Sequence, residues 1–326
     1  MSCNSHVLRW AGVLLVLAAL LAGCGTASHR RDGQMLVVTT VSPLTDIARN
    51  VAGHAADVEG LVPEGVDSHT FEPTVATAKL IARADLIFVN GLHLEDPTIQ
   101  LARSVSEGAE IDVLGDHAIA RSEELYDFSF PRSGGKPNPH LWMDVAFGIR
   151  YAELMRDRMA RVDPANAARY RTNTARYVRT LRRLDRAVQG AVDTVPPGNR
   201  VLLTYHDSFA YFARHYGMRV IGAIQPSDFA EPSAQEVAGL IDQIRAEHVP
   251  AIFGSEVFPS PVLATIADET GAKYEDTLRD DDLPGEPGQA QHSYVGLILT
   301  DVSTIVADLG GDPHALDSVR FTNRYD

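Results

Sequence analysis

Cysteine is almost absent: the 326 residues contain two, Cys3 and Cys24, both near the start. Beyond position 24 there is no thiol, so neither a disulfide framework nor a thiolate metal site is available. Lysine is scarce too, with only Lys79, Lys136 and Lys273 among the 29 basic residues. The 43 acidic side chains outweigh them, and the net charge of −14 argues against nucleic acid as a partner. Hydrophobic runs are short, and the longest, Ala11 to Leu21, is too short to span a bilayer. Familiar catalytic signatures are missing: no Gly-x-Ser-x-Gly, no His-Glu-x-x-His, no Cys-x-x-Cys. Gly135-Lys136 is followed by Pro137 and lacks the upstream glycine of a phosphate loop, which removes a transport ATPase.

What is present begins with an export signal. Arg9 supplies a positive flank, Ala11 to Leu21 the apolar run, and Leu21-Ala22-Gly23-Cys24 a small-residue cleavage site ending in cysteine. This order reads as a lipoprotein signal over residues 1–23, with Cys24 as the lipidated first residue of the mature protein. Cleavage would delete Arg9 and no acid, taking the net charge from −14 to −15. A metal site in the mature chain must therefore use nitrogen and oxygen.

From Leu36 the sequence alternates short β-branched runs with helical segments. Leu36 to Val41, Val58 to Val62 and Leu86 to Val89 read as strands, with helices opened by Ser42-Pro43 and running near Thr74 to Ala84. This is α/β patterning and implies a mainly parallel sheet. A polar stretch from His117 to Pro139, with Gly134-Gly135 at a flexible tip, precedes a helix from about Val145 to Arg161. Asp163-Pro164 then opens the longest periodic segment, in which Tyr170, Thr174, Tyr177, Leu181, Leu184, Val188, Ala191 and Val195 recur at spacings of three and four. At 1.5 Å per residue that helix would reach roughly 45 to 50 Å before Pro196-Pro197-Gly198 stops it. A coiled coil would share the seam. One long helix bracing two lobes fits better, because patterned α/β sequence flanks it on both sides.

The second half repeats the alternation. Val201 to Tyr205, Arg219 to Ile224, Ala251 to Phe253 and a short run ending at Glu275 read as strands. Between them lie helices over Ser208 to Tyr216, from Ser233 with Glu236 as a capping box, and near Pro261 to Glu269; a last helix runs from Tyr294 to Leu309. The expected organisation is a signal at 1–23, a tether at 24–35, an N-terminal α/β lobe at 36–162, a linker helix at 163–196, a C-terminal α/β lobe at 197–310 and a polar tail at 311–326.

His69, His140, His206 and Asp276 are separated by 71, 66 and 70 residues, each in a short polar motif that ends an apolar segment or interrupts a loop. Any one of these histidines alone reads as a surface or hydrogen-bonded residue. Together they make a candidate ligand set, since a zinc-type ion takes about four N/O/S donors and donors from four distant loops converge only in a cleft. Asp67, Glu72, Asp144 and Asp207 are candidate acceptors for the non-ligating ring nitrogens. His93 and His292 are reserve ligands, and Asp280-Asp281-Asp282 reads as a solvated acidic loop. A metal with an open position can activate water, but four protein donors fill a tetrahedral site, so binding without chemistry is the simpler reading and a zinc hydrolase the weaker one.

The stretches Val62 to Thr74, Ala84 to Glu95, Asn138 to Asp144, Tyr205 to Phe212, Glu231-Pro232-Ser233 and Tyr274 to Leu278 resemble those of the cluster A-I zinc and manganese solute-binding lipoproteins of ABC importers. The resemblance covers essentially the whole mature chain. It implies two α/β lobes joined by a rigid helix, metal held between the lobes by His69, His140, His206 and Asp276, and no enzymatic activity. It also implies a monomer lipid-anchored outside the cytoplasm, working with a separate permease and ATPase. Two departures stand out: the 117–139 loop lacks the histidine run of many zinc-specific members, and Gly254-Ser255-Glu256 replaces a more usual segment, leaving Glu256 as an extra acid near the cleft. Zn(II) is the expected cargo, with Mn(II) or Fe(II) as alternatives and surface adhesion as a role known among relatives.

Overall fold

The computed structural model describes residues 33–106, 108–225, 232–255 and 261–320. The export signal, Cys24, most of the tether, Glu256 and the end of the polar tail lie outside the described residues.

The first half builds a parallel sheet from β1 (Met35–Thr39), β2 (Ala56–Gly60), β3 (Leu86–Val89) and β4 (Glu110–Val113), in the order β2-β1-β3-β4. Its helices are α1 (Ser42–Ala52), α2 (Val75–Ile81), α3 (Asp96–Val105), α4 (Leu114–Ala118) and α5 (Val145–Val162). After α6 (Ala167–Val192) the second half repeats the plan with β5 (Val201–Thr204), β6 (Arg219–Ala223), β7 (Ala251–Ser255) and β8 (Lys273–Leu278), ordered β6-β5-β7-β8. Around it lie α7 (Ala210–Tyr216), α8 (Ala234–Glu247), α9 (Pro261–Thr270) and α10 (Tyr294–Asp308). Two parallel α/β lobes joined by one long helix are thus observed.

The central strands β1 and β3 are buried throughout, as parallel strands covered on both faces must be. Strand alternation then sorts their side chains. Met35, Val37, Leu86 and Phe88 enter one large core, while Leu36, Val38, Ile87 and Val89 enter a smaller one with Ile81 of α2 and Ile99 of α3. In the second sheet Leu202, Ala251 and Phe253 join the same large core, and Val201, Leu203 and Ile252 pack with Ile244 of α8 and Ile266 of α9.

The large core is continuous across both halves because α6 carries its stripe through it. Tyr170, Thr174, Tyr177, Leu181, Leu184, Val188 and Ala191 are all buried, against α1 and α5 on one side and α7 and α10 on the other. Truncating Leu181 or Leu184 to alanine would cost roughly 2–5 kcal/mol at such sites. The helix is shorter than its pattern suggests, 26 residues or about 39 Å. Pro164–Asn166 forms a 3-10 turn instead of its first turn, and the Asp163 carboxylate accepts bonds from Asn166 Nδ2 and Tyr170 OH at 2.7 Å each. At its far end the helix stops at Val192, so Val195 lies beyond it.

The residues from Met35 onward form one compact unit, which contains every element named above. They therefore carry a complete core of their own. Three elements are not legible in the sequence pattern: α3, the edge strand β4 and α4. Strand β4 alternates acid and apolar residues, and its Asp112 is buried because Arg158 of α5 pairs with it and His117 lies 3.5 Å away.

Candidate metal centre

The His69 loop follows β2 and is folded by its own aspartate. The Asp67 carboxylate accepts the His69 backbone N–H at 2.8 Å and the Thr70 hydroxyl at 2.9 Å, a short side-chain turn that fixes where the ring leaves the chain. His206 lies two residues past β5, where ligands of open α/β sheets gather. Its carbonyl accepts from Thr204 Oγ1 at 2.8 Å and from the Ser208 N–H at 3.0 Å. His140 is buried, and Asn138 Oδ1 accepts both its backbone N–H at 3.0 Å and its Nδ1–H at 2.9 Å. That bond fixes the tautomer and leaves the Nε2 lone pair for the site.

Three imidazoles meet there. His140 Nε2 lies 3.1 Å from His69 Nε2 and 3.2 Å from His206 Nε2, and Asp280 Oδ2 lies 2.9 Å from His206 Nε2. Ligands bound about 2.0 Å from a tetrahedral centre sit about 3.3 Å from one another, close to these spacings. Phe130 packs against the His69 and His140 rings, both with centroids at 5.6 Å, and Trp142 lies 5.2 Å from His140. A cavity of about 400 Å³, lined by His69, Leu92, Phe130, Lys136 and Pro139, lies beside the cluster. His69, the partly exposed member of the three, faces it.

The carboxylate that lies against His206 is Asp280, whereas the expected Asp276 lies elsewhere on β8. Asp276 is exposed on β8, which runs on to Leu278 instead of ending near Glu275. Phe253 pairs with Glu275 and Ser255 with Leu278, so β8 holds one extra residue relative to β7 in the stretch that contains Asp276. Such a bulge breaks the alternation of faces on which a strand-end reading depends. Beyond it, the Trp142 indole N–H donates to the Asp280 carbonyl at 2.7 Å and fixes that backbone beside His206.

The acidic run is buried, contrary to its reading as a solvated loop. Asp281 Oδ2 accepts the Ser68 N–H at 3.2 Å, and Asp282 Oδ2 accepts the Gly65 N–H at 2.6 Å. The segment carrying Asp280 therefore also holds the loop carrying His69. These contacts span more than 200 residues of sequence and leave no local signal.

The expected ring-nitrogen acceptors lie elsewhere. Asp144 caps α5 through Ala146 N and accepts from His215 Nδ1 at 2.7 Å. Glu72 is exposed. Asp207 is buried beside Asp127, and its carbonyl accepts from Asn138 Nδ2 at 2.6 Å. Asn138 takes the role those acids were expected to fill, and its amide thereby links the His140 and His206 loops. His93 is exposed beside Asp96 at 2.9 Å, and His292 pairs with Glu64 at 3.1 Å, so neither joins the cluster.

Burial and a neighbouring His206 charge lower the His69 pKa to about 3 and hold that of His140 well below the usual range. Both rings are thus kept neutral, the form that ligates. Burial also opposes a charge on His206, but the Asp280 carboxylate outweighs it and raises the His206 pKa. Burial and the Asp280 charge push Asp281 up to about 8, and burial, with Glu64 nearby, pushes Asp282 up to about 6.

A two-lobed α/β fold in which three imidazoles from distant loops converge, with a carboxylate against one of them, is the arrangement of a solute-binding protein for a metal ion. The chain belongs to the family described as "Zinc-uptake complex component A periplasmic", whose model matches residues 37–308. It is similar to the iron-binding protein YfeA of Yersinia pestis, 29% identical over 94% of this chain and 98% of that one. It is 27% identical to the manganese ABC transporter substrate-binding lipoprotein PsaA of Streptococcus pneumoniae, over 92% of this chain and 98% of that one. The solved structure of the periplasmic zinc-binding protein TroA from Treponema pallidum superposes with a TM-score of 0.77 at 29% identity, covering 85% of this chain and 99% of that one. The family consists of solute-binding proteins, and this chain is not an enzyme. No described helix is long and apolar enough to cross a membrane.

Proposed function

We propose that this chain is the extracytoplasmic receptor of a metal ABC importer, that His69, His140, His206 and Asp280 hold the ion, and that Zn(II) is its favoured cargo. The reading places a monomer at the membrane by lipid on Cys24, presenting metal to a separate permease and ATPase. The observation that carries it is the approach of three ring nitrogens at 3.1 and 3.2 Å with a carboxylate oxygen 2.9 Å from one of them. Three neutral imidazoles and one carboxylate suit a tetrahedral borderline-soft ion, whereas Mn(II) favours more oxygen donors and higher coordination. Zinc also stands above manganese and iron in the divalent affinity series.

Relatives named for manganese and for iron support a second reading, in which a bidentate Asp280 raises the coordination number and Mn(II) or Fe(II) is carried. Competition titration of metal-free protein separates the two. Zinc retained against excess manganese and iron supports the first; equal or tighter manganese binding overturns it and leaves the four-residue site in place.

A further inference from the structure

The outer face of α6 carries a charge pattern that metal binding does not use. Seven of its 26 residues are arginine, and its single acid is Asp185. At about 100° per residue the seven fall within an arc of roughly 160°, centred opposite the buried stripe of Tyr170, Leu181 and Val188. All are exposed except the half-buried Arg176, and none forms an ion pair among the described residues. Asp185 is engaged elsewhere, accepting from Tyr216 OH at 2.9 Å and lying 3.4 Å from His215 Nε2. On the adjacent α5 the pattern differs: Arg156 pairs with Asp157, and Arg158 and Arg161 pair with Glu110.

The asymmetry extends to the whole chain. Outside α6, 22 basic side chains face 42 acidic ones, a net charge of −20, against +6 on this one helix. Screening over about 8–10 Å leaves the local face in control when it approaches a charged surface, while the acidic remainder orients the molecule with α6 towards negative charge.

We propose that this face binds the headgroup surface of an anionic phospholipid membrane. Arginine forks match phosphate oxygens in pairs, and a fluid headgroup layer needs charge along the helix but no shaped pocket. A protein partner would need an apolar or aromatic anchor at its centre. Among the described residues the exposed large hydrophobics, Val66, Val75 and Phe128, all lie off this helix. Each arginine brought near an anionic membrane surface adds to the affinity.

The test uses the soluble chain lacking residues 1–24, which retains the complete unit from Met35 onward, and neutral vesicles beside vesicles with about 30% anionic phospholipid. Roughly tenfold or greater preference for the anionic vesicles is expected, lost near 0.5 M salt. Replacing Arg169, Arg176, Arg179, Arg183 and Arg186 by glutamine should abolish the preference without altering zinc affinity, and glutamine keeps helix propensity close to that of arginine. Arg156→Gln with Arg161→Gln on α5 should retain it. Equal partition onto both vesicles, or an undiminished preference in the five-glutamine variant, overturns the proposal. Binding to soluble polyglutamate that outcompetes the vesicles would replace the lipid with an acidic polypeptide and overturn it as well.

Discussion

Asn138 and His140 are joined twice: one amide oxygen, Asn138 Oδ1, accepts the backbone N–H of His140 at 3.0 Å and its ring Nδ1–H at 2.9 Å. The same amide donates through Nδ2 to the Asp207 carbonyl at 2.6 Å and to Asp127 Oδ2 at 3.2 Å. One side chain therefore orients His140 and ties it to the turn that carries His206. Asn138→Ala is expected to weaken zinc binding by roughly 10–100-fold, the usual cost of losing a residue that orients a ligand. Calorimetric titration checks this, and unchanged affinity in a folded variant would refute the role.

The carboxylate assignment is tested by a pair of substitutions. Asp280→Asn should lower zinc affinity by at least about 100-fold, since it removes a charged donor as well as the partner of His206. Asp276→Asn should leave affinity within about twofold, because that side chain is exposed where β8 shifts register against β7. Loss of binding in the second variant and not in the first would restore Asp276 and discard Asp280.

Stability of the metal-free protein should fall in acid for a reason located at His69 and His140. Their folded pKa values lie below the ordinary 6.5, at about 3 for His69. Between those values the unfolded chain takes up protons that the folded chain refuses, so unfolding becomes easier as pH drops from about 6.5 towards 3. His206 has the opposite sign: its pKa is raised, so its pairing with Asp280 is fully present below 6.5 and lost as pH climbs through the raised value. Zinc must displace that proton, so apparent affinity should increase with pH through the His206 titration. Denaturant titrations of wild type and His69→Gln from about pH 7 to 4 check the first effect; an equally steep loss in both would show that the acid sensitivity arises elsewhere. Zinc titrations across the same range and above check the second, and a pH-independent affinity would contradict it.

Packing between the halves rests partly on the absence of a side chain. Tyr294, at the start of α10, lays its ring over Gly148 of α5 and donates to the Trp142 carbonyl at 2.6 Å, while its own N–H donates to Asp46 of α1 at 2.9 Å. A Cβ at Gly148 would come within 2.8 Å of ring carbons that are fully buried and have no room to retreat. Gly148→Ala should therefore destabilise by about 1–3 kcal/mol through overpacking, despite the gain of up to about 1 kcal/mol in helix propensity. Thermal melting checks the sign, and an unchanged or higher midpoint would mean that the ring yields easily.

Much of this protein was written locally. Alternating β-branched runs marked seven of the eight strands among the described residues, Ser233 with Glu236 announced the α8 cap that the structure contains, and the three-and-four spacing from Tyr170 to Ala191 traced the buried face of α6. Such patterns are legible because a strand or helix is specified by neighbours a few residues apart. The histidine motifs were legible for the same reason, since each ring leaves a short loop shaped by its own residues, such as Asp67 beside His69 and Asn138 beside His140.

Only the tertiary structure decided which carboxylate and which supporting groups meet those rings. Strand β8 runs past Asp276 to Leu278 with a register shift against β7, and Asp280, two residues beyond its end, lies beside His206. Asp281 and Asp282 became buried acceptors because Ser68 and Gly65, 213 and 217 residues away in the chain, bring backbone N–H groups to them. An acid-rich run is ordinarily left in water, and here Asp281 and Asp282 each accept a backbone N–H that only the assembled fold supplies.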